Sequence, residues 1–140
     1  MKKILIMFSV LLVTGCSITQ TVKPVEGIQR GTKLCVIENP DVRKNFINIY
    51  RELLQGKGLE VSMLPPQAKK GDCEWTSTYS ANWNWDLAMY MRYAKISIYH
   101  DDWLHGEALY DSTSGSGNFG KFIDAEKKIG EMVDQLFPSL

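Results

Sequence analysis

Cysteine is scarce in this chain, with three residues in 140, and histidine scarcer, with two. So few soft and imidazole ligands do not make up a metal-binding framework, and no two cysteines stand at CxxC spacing for redox chemistry. An excess of one charge is also missing: 16 Lys and Arg balance 16 Asp and Glu. That balance excludes the strongly basic design of a DNA- or RNA-binding protein and a surface that seeks anionic membranes by charge. The longest apolar run, residues 4–13, has about half of the roughly twenty residues needed to cross a bilayer. No internal repeat, no Gly-x-Ser-x-Gly elbow and no glycine-rich phosphate fingerprint occurs. Gly115-Ser116-Gly117 is too short for either motif and reads as part of a flexible link over residues 113–117.

What is present begins at the N-terminus. Lys2 and Lys3, the apolar run and the small residues Thr14 and Gly15 are the three parts of a secretory signal. Cys16 follows at once, and with it the leader resembles the signal of bacterial lipoproteins. The alternatives are a membrane helix, for which the run is too short, and a plain secretory signal in which Cys16 is incidental. The resemblance implies cleavage before Cys16, acylation of that cysteine with palmitate-type chains, and a protein tethered in the cell envelope. Ser17 after the cysteine implies the periplasmic face of the outer membrane, where aspartate would imply inner-membrane retention. At about 0.8 kcal/mol per buried methylene, several acyl chains make a permanent anchor.

Loss of residues 1–15 also removes Lys2 and Lys3, leaving 14 basic against 16 acidic residues, a net charge of about −2. The remaining chain suits one domain. With Cys16 given to lipid, Cys35 and Cys73 are left, and in an oxidising periplasm the simplest expectation is a structural disulfide.

Residues 16–32 are polar and interrupted by Pro24, Gly27 and Gly31, which predicts a lipidated flexible tether. The domain is expected over residues 33–138. Leu34 to Ile37 form a first strand; Asn39-Pro40 start a helix whose stripe is Val42, Phe46, Ile49, Tyr50 and Leu53. Residues 59–64 form a second strand, stopped by Pro65-Pro66. From Cys73 to Trp85 the alternation puts Cys73, Trp75, Tyr79, Ala81 and Trp83 on one face. Residues 88–100 form the next strand, with Ala94, Ile96 and Ile98 on one side and Met89, Met91, Tyr93 and Tyr99 on the other. A three-residue turn at Asp101 to Trp103 brings Ile98, Ile96 and Ala94 opposite Gly106, Ala108 and Tyr110 of the last strand. Asn118 caps a final helix lined by Phe122, Ala125, Ile129, Met132, Val133 and Leu136, with Lys128 on its polar side. The order β-α-β-β-β-β-α predicts an α+β two-layer sandwich, two helices on one face of a mainly antiparallel sheet of about five strands.

Val42-Arg43 before an amphipathic helix, Ser80-Ala81-Asn82-Trp83-Asn84-Trp85-Asp86-Leu87-Ala88-Met89-Tyr90, Ala94-Lys95-Ile96-Ser97, Gly106-Glu107-Ala108 and Lys121-Phe122-Ile123-Asp124-Ala125-Glu126 together resemble the uncharacterised Sbal-type family of small bacterial lipoproteins. The resemblance spans most of residues 35–138 and implies an address and a fold, not an activity. In architecture alone the layout also resembles small outer-membrane assembly lipoproteins.

Catalytic groups are thin. His100 and His105 bracket Asp101 and Asp102, but strand parity sends the two imidazoles to opposite faces, so solvated turn histidines are expected rather than a metal site. A hydrolase would need a pocket joining Glu107, His105 and Asp111. The expectation is therefore a protein without enzyme activity, cofactor or metal, docking an envelope protein through an uncovered sheet face and aromatic ends. Tyr93, Tyr99, Trp83, Trp85 and Trp103 are the candidate surface; Trp75 and Tyr79 are expected in the core. The alternative is an envelope glycan or peptidoglycan binder that uses tryptophans as stacking platforms. Neither the partner nor the oligomeric state can be read from the sequence.

Overall fold

The structure, a computed structural model, describes residues 18–115 and 118–140. The leader, Cys16 and the centre of the Gly115-Ser116-Gly117 link lie outside the described residues. The chain runs β1 (Thr19–Lys23), β2 (Lys33–Ile37), α1 (Lys44–Gly56), β3 (Glu60–Leu64), β4 (Trp75–Asp86), β5 (Ala88–His100), β6 (Trp103–Asp111), a 3-10 turn (Phe119–Phe122) and α2 (Ala125–Leu136). It is an α+β fold with one six-stranded sheet in the order β1-β6-β5-β4-β2-β3. Pairing is antiparallel from β1 to β4 and parallel where β2 meets β3 and β4.

The sixth strand comes from the segment expected to be a tether. Residues 19–23 pair in full with β6; Val25 and Ile28 are buried, and the Val25 amide donates to the Leu136 carbonyl at 2.8 Å. With so few apolar residues, the segment cannot hold a strand alone and does so only on a preformed edge. Gly106 is the sequence sign of this contact. A Cβ there would lie 2.4 Å from Val25 Cγ2, so only glycine lets the segment cross β6 so closely.

Helix α1 starts later than Asn39-Pro40 suggests. Asn39 is tied to β4 instead: its amide donates to the Tyr79 hydroxyl and its Nδ2 to the Tyr79 carbonyl, at 3.0 and 2.9 Å. From Lys44 onward Phe46, Tyr50 and Leu54 recur every four residues and are fully buried. Phe46 stacks on Tyr79 at 5.4 Å between ring centres. Tyr50 Oη lies 2.8 Å from Ser77 Oγ, and burial pushes the Tyr50 phenol well above its usual value.

The final helix is split in two. Asn118 caps the 3-10 turn by accepting from the Gly120 amide, and Asp124 caps α2 by accepting from the Lys127 amide. Phe122 thus belongs to the turn. Lys128, expected on the polar side, is buried; its ammonium donates to Gln20 and Glu131 and lies over the Tyr110 ring. It joins α2 to the added strand β1.

Cys35 and Cys73 form a disulfide with Cα atoms 6.2 Å apart. It holds the β3–β4 connection, residues 65–74, against β2, and Lys70 from that connection lies over the Tyr99 ring.

Candidate interaction surfaces

The β5–β6 hairpin keeps the expected register by a different device. Ile98, Ile96 and Ala94 do face Gly106, Ala108 and Tyr110, but His100 pairs with Trp103, so the turn has two residues. Asp101 and Asp102 occupy it with φ of 48° and 71°, the geometry of a type I′ turn. One extra residue at His105, between the Leu104 and Gly106 pairings, then restores the register as a bulge.

That bulge overturns the separation of the two histidines. Trp75 stacks on His100 with ring centres 4.2 Å apart, and His105 stands edge-on to both rings at 5.3 and 5.6 Å. His100 Nε2 is 3.2 Å from Glu74 Oε1, and His105 Nε2 is 3.0 Å from the Glu26 carbonyl. Both imidazoles are engaged in packing and hydrogen bonding. No group of three or more metal-ligating side chains occurs among the described residues. Glu107 meets Ser97 and Lys95 on the face away from the helices, and Asp111 receives the Thr113 amide at 2.8 Å. Hydrogen bonds from the Thr113 hydroxyl and amide hold the Asp111 carboxyl below its ordinary value. Glu107, His105 and Asp111 therefore do not converge.

The five aromatic candidates fall in four places. Tyr93 and Tyr99 lie half-buried on the open sheet face with Thr78, Ser80 and Lys95, Tyr99 under Lys70. Met91 was expected beside them, but Arg92 is skipped in the β4–β5 pairing, and the bulge turns Met91 into the core. Trp83 is half-buried on the helix side, edge-on to Phe46, with the Arg43 guanidinium 5.3 Å over its ring. Trp85 and Trp103 are exposed at opposite ends of the sheet. Eleven residues of β5 separate their pairing partners, Met89 and His100, or roughly 36 Å at strand rise. The tryptophans form no common platform.

Sequence reasoning missed the end of the β4–β5 hairpin as a unit. Trp85, Leu87 and Met89 are 67, 87 and 48% exposed, and Phe119 of the 3-10 turn 82%. Parity puts Trp85 and Met89 on the helix side, but the hairpin outruns both helices, so these side chains have nothing to cover them. Leu87 sits at the apex with φ of 61°, a strained conformation for a branched residue. The signal available was strand length: 12 and 13 residues against five in β2 and β3.

Beside this end is a groove of about 370 Å³ lined by Arg43, Asn45, Trp83, Met89, Tyr90 and residues 122–125. A second of about 240 Å³ lies on the opposite flank, between Lys44, Ile47, Arg51 and Met63 of α1 and β3. No helix among the described residues is long and apolar enough to cross a membrane.

No protein-family model and no curated protein sequence matches the chain. Among solved structures the fold is similar to that of the PelC dodecamer from Paraburkholderia phytofirmans in space group P6. The TM-score is 0.61 and the identity 14%, over 85% of this chain and 98% of that one. A point variant of the same dodecamer in space group C2 gives 0.60 and 14%, over 86% and 97%. At this identity the likeness shows a shared fold.

Proposed function

We propose that this chain is a lipid-anchored, non-enzymatic building block of the bacterial cell envelope, and that the first protein it docks is a second copy of itself. The observation that supports this reading is the similarity in fold to a protein crystallised as a dodecamer in two crystal forms. A ring needs two different, complementary flanks on each copy. Here one flank is β3 with α1, where Met63 is exposed beside Ile47, Lys44 and Arg51. The other is β1, with Thr19, Thr21 and Lys23 exposed. Pro65-Pro66 after β3 and Lys23-Pro24 after β1 discourage extension of the sheet from chain to chain, which leaves side-chain contacts as the means of association. The scattered tryptophans and the engagement of both histidines favour this reading over a glycan platform or a hydrolase.

Sedimentation of the full-length, detergent-extracted protein tests it, together with crosslinking in cells between probes at Met63 and Lys23. Species larger than one chain and Met63-to-Lys23 crosslinks between copies are expected. A monomer in detergent without such crosslinks refutes the assembly.

A further inference from the structure

We infer that the β4–β5 hairpin end is a membrane-dipping element: Trp85, Leu87 and Met89, with Phe119 beside them, seat on the phospholipid bilayer that holds the lipid anchor. The inference rests on the acylation of Cys16 in the proposal above, and its geometry comes from the described residues.

Thr19 of β1, Asp111 of β6 and Tyr93 of β5 lie in one row across the sheet. The chain from Cys16 arrives at this row, and three residues at about 3.5 Å each allow the anchor at most about 10 Å beyond it. The hairpin projects from the same row in the same direction. Leu87 is six residues past Tyr93, roughly 15–20 Å at strand rise. The apex therefore overreaches the anchoring residue by at least about 5–10 Å, enough to reach the boundary of headgroups and acyl chains where an apolar element rests. Phe119 lies toward this end as well, its ring 6.5 Å from that of Phe122, which in turn is 5.5 Å from Tyr90 of β5.

The chemistry of the tip suits that place. Four of the seven exposed large apolar side chains among the described residues belong to this end. The backbone remains paired up to Asp86 and Ala88, so few peptide groups would enter lipid unsatisfied. The acid at the apex, Asp86, is paired with the buried Lys121, whose ammonium lies 5.3 and 5.2 Å over the Tyr90 and Phe122 rings and whose charge cancels that of the carboxylate. Tryptophan at the side of the tip is the residue favoured at membrane interfaces. With Arg43, Arg92, Asp111 and Asp124 the end has no dominant charge, so apolar contact rather than attraction to anionic lipid would hold it.

The test uses the full-length protein in vesicles of phosphatidylethanolamine and phosphatidylglycerol, with a bimane probe on the thiol introduced by Leu87→Cys or, at the far end, by Trp103→Cys. Brominated acyl chains should quench the Leu87 probe, held at the acyl boundary, and leave the Trp103 probe unchanged, with no dependence on salt. Acylated, vesicle-bound protein whose Leu87 probe is no more quenched than the Trp103 probe overturns the inference. A blue shift without quenching does the same, because the tip is then covered by protein. Protein that lacks acyl mass and does not float with vesicles overturns the anchor, and the membrane-dipping inference with it.

Discussion

The contact between α1 and β4 at Tyr50 and Ser77 offers a quantitative check on how the two layers are joined. Both side chains are fully buried and their hydroxyl oxygens are 2.8 Å apart. Tyr50→Phe leaves the Ser77 hydroxyl without its partner, and Ser77→Ala does the same to the phenol; each single change should cost about 1.5–2 kcal/mol, mostly the penalty of a stranded buried group. Replacing both removes the bond and both stranded groups, so the double variant should lose under about 1 kcal/mol. The coupling is then about 2–3 kcal/mol, near the top of the range for residues in contact. Urea unfolding at neutral pH reads it: each single variant should move the midpoint down by about 1 M for a slope of 1.5–2 kcal/mol/M, and the double variant by less than either. A second signature comes from the phenol. Because burial raises its folded-state value, the unfolded chain releases the proton first, near pH 10. Tyr50 thus favours the native state below that point and progressively loses this advantage as pH rises above it, by about 1.4 kcal/mol per pH unit. Tyr50→Phe should flatten this alkaline fall. Additive single variants, with the double as unstable as their sum, would refute the account of a shared buried bond.

Three further outcomes follow from the same structure. The disulfide spans 38 residues, so Cys73→Ala with Cys35→Ala should cost about 4 kcal/mol on the chain-entropy relation, seen in calorimetry as a fall in Tm of about 10–20 °C; an unchanged Tm contradicts it. Gly106→Ala places a methyl on Val25 Cγ2 and should cost about 1–3 kcal/mol by overpacking; adding Val25→Ala should restore part of the loss, and failure to do so in chemical denaturation would mean that β1 does not cross there. The carboxyl of Asp111, held low by Thr113, adds stability above the unfolded value near 3.9 that disappears as pH falls through the folded one. Asp111→Asn should therefore unfold with a shallower acid limb in circular dichroism, and an identical limb would remove Asp111 from the account.

Most of the sheet is legible in the residues because half-burial writes a period of two, and the Ile98–Gly106 register can be set before any coordinates. What sequence cannot decide is how that register is reached. A three-residue turn and a two-residue turn followed by a bulge consume the same number of residues, and they differ in where His105 points. The bulge at Arg92 is similarly silent, and it moves Met91 from the open face to the core. The strand at Thr19–Lys23 is illegible for another reason: its stability is supplied by the edge of β6 and by Lys128 of α2, not by its own pattern. Trp83 and Trp85 share a face and an alternation, yet one lies against Phe46 and the other stands in the open. The difference is where the helices end, a tertiary quantity. The tryptophans are thus easy to single out and hard to group.

The two readings, assembly and membrane contact, constrain each other. The hairpin tip leaves the sheet along the strand direction, whereas the flanks offered for association, β1 and β3, run along that direction on either side. Contacts between flanks therefore need not cover the tip. If each copy seats its tip on one bilayer, however, all tips must point the same way. A two-fold axis across the strands would turn half of them from the membrane, which the short reach from Cys16 forbids. Only rotation about an axis along the bilayer normal keeps every anchor and every tip on one side. For more than two copies, association then joins unlike flanks, β3 of one copy to β1 of the next, and closes when the rotation per copy divides a full turn. A self-complementary pair with Met63 facing Met63 fits one membrane only when its two-fold axis lies along the normal, and it stops at two copies, so Met63-to-Lys23 crosslinks between copies mark the head-to-tail arrangement that extends further.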